Sequence, residues 1–212
     1  SVENDRIHRQ KQEGLYYVEY HPAGGDANVE HLLAALDYAV TLNQVEARIA
    51  PDQALFFINL TADEARKIAE LTDDSAENDF RRSVSCVGST VCQIGMQDSN
   101  GLLKDIFGHL EEKGVDTSKL PRLHISGCPH SCGTHQIGEI GFHGAVKLVD
   151  KKPTVAFILV DGGSEHMGSE NFGKMAGNIV ATKIPEFLEA LANTLNQSPE
   201  PDFGTWRMTH KA

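Results

Sequence analysis

All four cysteines of this chain fall in two short clusters, Cys86 and Cys92 with five residues between them, and Cys128 and Cys132 with three. Two tight pairs with nothing outside them constrain the fold more than any other feature, because each reading of them demands a different backbone. Disulfides suit small secreted scaffolds. Here the start Ser1-Val2-Glu3-Asn4-Asp5-Arg6 is polar and no signal peptide, and 212 residues are enough to bury a sizeable core. A structural zinc site uses knuckles with two to four residues between thiolates, so the first pair is spaced too widely for one. Buried, inert thiols are common, but they have no reason to pair up along the chain. A cubane iron–sulfur cluster takes four thiolates. The usual ferredoxin spacings are absent, so a cluster here would not be of the common electron-transfer type. Gly88 and Gly95 accompany the first pair, and Gly127, Pro129 and Gly133 the second. They permit close backbone approach to a bulky group, or they are ordinary turn residues.

Charge narrows the partners. Nineteen basic against thirty acidic residues give a net charge of -11. Phosphate backbones need clustered Lys and Arg, so nucleic acid is not an expected partner. No apolar run approaches the ~20 residues of a membrane helix; the longest covers residues 155–160. A membrane is therefore not expected either, and the cytoplasm is the expected compartment. With no initiator Met, the chain reads as processed, trimmed or cut from something longer.

Periodicity divides the chain. Residues 1–13 are polar and read as an N-terminal arm or linker. Residues 15–20, 45–49 and 55–60 read as strands. Asn28 reads as an N-cap for a helix whose stripe Val29, Leu32, Leu33, Leu36 and Val40 faces the core. Thr61-Ala62-Asp63-Glu64 is a capping box opening a helix to about Leu71. This β-α-β-β-α order over residues 14–74 is close to a ferredoxin-like half-domain. An acidic loop follows, with Asp73, Asp74, Glu77 and Asp79, and marks a boundary. The second lobe, residues 80–197, carries the cysteines. It should contain a helix over residues 99–112, a strand at 122–125, and an antiparallel run at 137–142, 145–149 and 154–160 closed by Gly162-Gly163. A last helix should begin at Ile184-Pro185. The tail, residues 198–212, is Pro-rich and expected to be extended. The fold class is α+β (α/β mixed), with an antiparallel or mixed sheet in the second lobe.

Around the second pair stands Ser126-Gly127-Cys128-Pro129-His130-Ser131-Cys132, followed after six residues by Glu139-Ile140-Gly141-Phe142. This resembles the signature of siroheme-dependent nitrite and sulfite reductases. Cys86-Val87-Gly88-Ser89-Thr90-Val91-Cys92 resembles the family's other cysteine half, and Gly162-Gly163 after a strand also fits. The resemblance implies that Cys86, Cys92, Cys128 and Cys132 hold a [4Fe–4S] cluster, with Cys132 also bridging to the siroheme iron. It implies six-electron reduction of nitrite to ammonia or of sulfite to sulfide, with electrons from a donor such as ferredoxin or a reductase subunit. Anionic substrates and a haem rich in carboxylates call for basic groups. Arg82, four residues before Cys86, and Arg48 match arginines used near the substrate or haem. Gln53, His130, Gly162 and Gly163 are candidate haem contacts. His124, His135 and His143 read as surface residues or haem-carboxylate partners.

Family members usually carry two copies of this lobe pair, and this chain has one. It is expected to be the C-terminal half of a longer reductase, in which case either cofactor can be absent from the isolated piece. The other readings are a small single-repeat siroheme protein completed by a homodimer mate, a cluster-only electron-transfer module, and a cysteine–zinc or metal-free structural module.

Overall fold

A computed structural model describes residues 2–210, which fall into two units divided between Glu77 and Asn78. In the first, Tyr16–Tyr20 (β2) alternates, burying Val18 and Tyr20, as a strand packed on one face must. It pairs antiparallel with Leu55–Leu60 (β4), which pairs in turn with Glu46–Ile49 (β3). Val29–Ala39 (α1) and Ala62–Leu71 (α2) connect them. The caps form as the sequence predicts: Asn28 accepts from the Glu30 N–H, and the Thr61–Glu64 capping box is reciprocal.

The stretch expected as an arm is instead structured. Ile7–Arg9 (β1) completes the sheet in the order β1-β2-β4-β3. Ile7 is buried, and the Arg6 guanidinium donates to the Ala69 carbonyl and the Thr72 hydroxyl. A three-residue strand carries too little pattern to be seen in sequence, and one buried Ile suffices to dock it. Ser1 lies outside the described residues. The face of α1 also differs from expectation. Ala35 and Ala39 face inward, with Leu32 and Leu36 partly buried, whereas Val29, Leu33 and Val40 are exposed. The small alanines let α1 approach its neighbours closely, and that rotates the larger residues outward.

The second unit is a mixed sheet, β5-β6-β7-β8-β9. Val84–Ser85 (β5), Leu123–Ser126 (β6) and Ile140–Val149 (β7) run parallel, while Lys152–Asp161 (β8) and Lys174–Val180 (β9) join antiparallel. Ser99–Glu112 (α3) and Ile184–Gln197 (α4) pack on the sheet. Leu103, Ile106 and Leu110 of α3 meet Leu188 and Leu195 of α4, Leu123 and Ile125 of β6, and Phe142 of β7 in one buried cluster. Each such side chain contributes about 1.5–3 kcal/mol on burial.

Two expected strands, 137–142 and 145–149, are one strand, β7. Its Gly144 is no break: a Cβ there would overlap the Gly127 carbonyl oxygen. The tail is not simply extended. Asp202 caps a further helix, Phe203–Thr209 (α5), which buries Phe203 against the main cluster. Residues 211–212 lie outside the described residues. Among the described residues no helix is long and apolar enough to cross a membrane.

Candidate metal centre

The two cysteine loops grow from neighbouring strands. Because β5 and β6 run parallel, with Ser85 opposite Ile125, both chains leave the sheet at the same end. The Cys86 N–H donates to the Ile125 carbonyl at 3.0 Å, and the Gly127 N–H donates to the Cys86 Sγ at 3.1 Å. The first loop then folds back over the second. The Gly127 carbonyl accepts from the N–H groups of Met96 and Gln97, at 3.2 and 2.9 Å. Cys92 turns toward the start of its own loop, its N–H donating to the Gly88 carbonyl at 2.8 Å.

Glycine is required where the loops touch. A Cβ on Gly127 would stand 2.5 Å from the Gln97 carbonyl oxygen and 3.2 Å from the Gly88 Cα. Gly88 has φ +67°, and a Cβ there would meet the Ser99 N–H nitrogen at 2.7 Å. Gln97 was not legible as a site residue, yet it ties the first loop to its surroundings: its carbonyl accepts from the Ser89 N–H, its N–H donates to the Gly127 carbonyl of the second loop, and its side-chain amide donates to the Ala145 carbonyl of β7 at 2.8 Å.

The arc from Ser126 to Gly133 is closed from behind. The Ser126 Oγ accepts the Gly133 N–H at 3.0 Å and lies 2.9 Å from the His135 Nδ1. Ser131, between the two cysteines, has φ +61°, a conformation that costs a non-glycine residue energy and persists only where its surroundings fix it. Behind the arc, His124 Nδ1 lies 2.8 Å from the Thr134 Oγ1, and the His135 and His143 rings are 4.8 Å apart. His124 and His135 are buried and His143 half-buried, which corrects their reading as surface residues. Burial, reinforced by the nearby His143 and His124, pushes the His135 pKa down to about 4, so it is neutral at ordinary pH.

All four cysteines are free thiols; Cys128 is buried, Cys86 and Cys92 are half-buried and Cys132 is exposed. Four thiols on two interlocked loops, with glycine at the contacts and an N–H aimed at a sulfur, fit a [4Fe–4S] cluster. The other expected residues are placed unevenly. Arg82 is half-buried in the turn before β5, its N–H shared between the carbonyls of Asn78 and Asp79. His130 is exposed on the second cysteine arc. Arg48 and Gln53 belong to the first unit. Arg48 is exposed on β3 and bonded to Glu46 at 2.8 Å, and Gln53 has φ +68° in the loop before β4. Gly162 and Gly163 donate to the carbonyls of Glu139 and Gly138 and border a cavity of about 630 Å³ with Glu139, His166 and Asp202. Burial raises the Glu139 carboxyl above its ordinary pKa.

The fold and this centre define a mixed α+β lobe with four cysteines on two adjoining loops. The family model for the nitrite and sulphite reductase 4Fe-4S domain matches residues 76–209, more than half of the chain, and the chain belongs to that family. A ferredoxin–nitrite reductase of Synechococcus elongatus is 28% identical over 190 residues, covering 87% of this chain and 37% of that protein. The sulfite reductase [NADPH] hemoprotein beta-component of Bacillus licheniformis is 28% identical over 124 residues, covering 53% of this chain and 22% of that protein. Among solved structures, the Mycobacterium tuberculosis NirA protein shares the fold with a TM-score of 0.76 at 20% identity, over 98% of this chain and 40% of that one. This chain thus spans well under half the length of these relatives.

Proposed function

We propose that this chain is the cluster-bearing part of a siroheme-dependent reductase that converts nitrite to ammonia or sulfite to sulfide. Cys86, Cys92, Cys128 and Cys132 would hold the [4Fe–4S] cluster, and Cys132, the exposed one, would be the thiol nearest the siroheme. The observation that carries this reading is the Gly127 clasp: one residue donates to the Cys86 Sγ and accepts from Met96 and Gln97, joining the two cysteine loops. When bound, the cluster and haem would supply the electrons for reducing the anion.

The chain's own residues bind and orient. The exposure of Cys132 leaves one thiol open to a second metal centre while Cys128 is enclosed. Val87, Val91, Ile94 and Met96 of the first cysteine loop are all at least half exposed, an apolar surface of the kind that marks a covered site. That supports a haem and a second lobe pair, from a longer chain or a homodimer mate, lying against this loop. Arg82 is assigned to the anionic substrate. His130, Gly162 and Gly163 are assigned to the haem, and Arg48 and Gln53 are added on resemblance alone. The electron donor is a ferredoxin or a reductase subunit, and the compartment is the cytoplasm.

Anaerobic reconstitution with iron, sulfide and siroheme tests the reading. The expected product holds four irons and four sulfides per chain, with haem absorption that changes on cluster reduction. Cys132→Ser should lose that coupling as well as weaken cluster binding. A variant that keeps both the coupled spectrum and nitrite or sulfite reduction would overturn the assignment.

A further inference from the structure

Ser99 is fully buried at the start of α3, and its hydroxyl faces Cys86. Its Oγ lies 3.0 Å from the Cys86 Sγ and 2.8 Å from the Cys86 carbonyl oxygen. The usual employment of a serine at a helix start is capping, and here Asp98 does that, accepting the Gly101 N–H at 2.9 Å. The Ser99 hydroxyl is therefore available to the cysteine. Together with the Gly127 N–H, which donates at 3.1 Å, it places two polar partners on the Cys86 sulfur, of which the hydroxyl becomes a donor once the sulfur has lost its proton. Among the described residues, no hydrogen bond reaches the sulfurs of Cys92, Cys128 or Cys132.

We infer that Ser99 is a positioning residue that sets the reduction potential of the cluster through the Cys86 sulfur. A hydroxyl has one proton, and two acceptors compete for this one. While Cys86 is a thiol, the S–H can donate to the Ser99 Oγ and the hydroxyl can serve the carbonyl. A metal-bound thiolate has no proton and carries charge, so it draws the Ser99 O–H to itself. Adding an electron to the cluster raises the charge on its sulfurs and strengthens that bond. The reduced state is stabilised more than the oxidised one, and the potential rises. The asymmetry also singles out Cys86 as the ligand on which added charge is best stabilised, on the loop opposite that of Cys132.

The inference rests on the cluster reading of the four cysteines, and the experiment separates the two. Wild type, Ser99→Ala and Ser99→Thr are reconstituted, assayed for iron and sulfide, and titrated redox-potentiometrically with detection by electron paramagnetic resonance. At a fixed ambient potential, Ser99→Ala should show a reduced-to-oxidised ratio about tenfold below wild type, or about 59 mV for a one-electron couple. Ser99→Thr, which keeps the hydroxyl, should stay within about twofold by the same relation. A fully loaded Ser99→Ala that titrates with wild type overturns the inference, because loss of a purely structural contact to the carbonyl would leave the potential in place. If Ser99→Ala takes up no cluster, the wild type decides by resonance Raman spectroscopy. Hydroxyl protons exchange on mixing with D2O, whereas a buried amide such as that of Gly127 exchanges slowly. A prompt shift of an iron–cysteine stretching band supports the bond, and its absence overturns it. A wild-type chain that binds no cluster at all overturns the cluster reading, and the Ser99 assignment with it.

Discussion

The two cysteine loops are held by opposite means. The loop of Cys86 and Cys92 is fixed mainly by backbone: main-chain bonds to Gly127 and glycines at the contacts, with Gln97 and Ser99 adding one side-chain bond each and the apolar side chains turned outward. The arc of Cys128 and Cys132 is fixed by side chains: Ser126, His135, Thr134 and His124 form a buried polar layer beneath it. Backbone clasps depend on the absence of a Cβ and are insensitive to pH. A layer of histidines depends on protonation. The first loop thus relies chiefly on close backbone packing, and the arc on a hydrogen-bonded layer together with one close backbone approach at Gly133, so the two should fail differently.

Gly133, where the arc returns to the sheet, should give the largest effect. A Cβ there would overlap the Ile125 carbonyl oxygen, which is backbone and cannot move aside. Gly133→Ala is expected to destabilise the chain by about 4 kcal/mol, at the upper end for single substitutions, as read from urea midpoints. An effect below 1 kcal/mol would mean that the arc is not pinned to β6 at all.

Next comes pH. His135 titrates near 4 in the folded chain, below its ordinary value of 6.5, so between those values the unfolded state binds more protons. Stability should be complete above pH 6.5 and fall as pH drops toward about 4, by up to about 3 kcal/mol. His135→Gln should flatten that slope. An unchanged slope in the variant would place the pH dependence elsewhere.

Ser126→Ala removes the hydroxyl shared by Gly133 and His135 and should cost about 1–3 kcal/mol, since a buried amide and ring nitrogen lose their partner. Ile94→Ser lies at the other extreme. Ile94 is 64% exposed on the first loop, so the isolated chain should change by less than about 0.5 kcal/mol. A large loss there would show that this loop packs against more than its own backbone.

The sequence made the chemistry more legible than its support. The cysteine spacings, the Thr61 capping box and the start of α3 all show locally, because caps and ligand spacings act over a few residues. What escaped acts over distance. Ser99 contacts Cys86 thirteen residues away, and Gln97 reaches Ala145 across forty-eight. No period reports such pairs, although a polar Gln-Asp-Ser run between a cysteine loop and a helix was a signal to weigh. The outward turn of Val29 and Leu33 escaped because a 3.6-residue period gives a stripe without saying which neighbour is small. β9 escaped because its first four residues are exposed and do not alternate. The gap left between residues 142 and 145 was misplaced, because Gly144 continues β7 and lies where its backbone nearly touches that of Gly127.

The Ser126–Gly133 hydrogen bond ties the two ends of its arc together at 3.0 Å. It joins residues seven apart, and closing so short a loop costs little chain entropy. How far Cys128 and Cys132 can stray from one another is thereby limited by a contact local enough to form without help from remote parts of the fold.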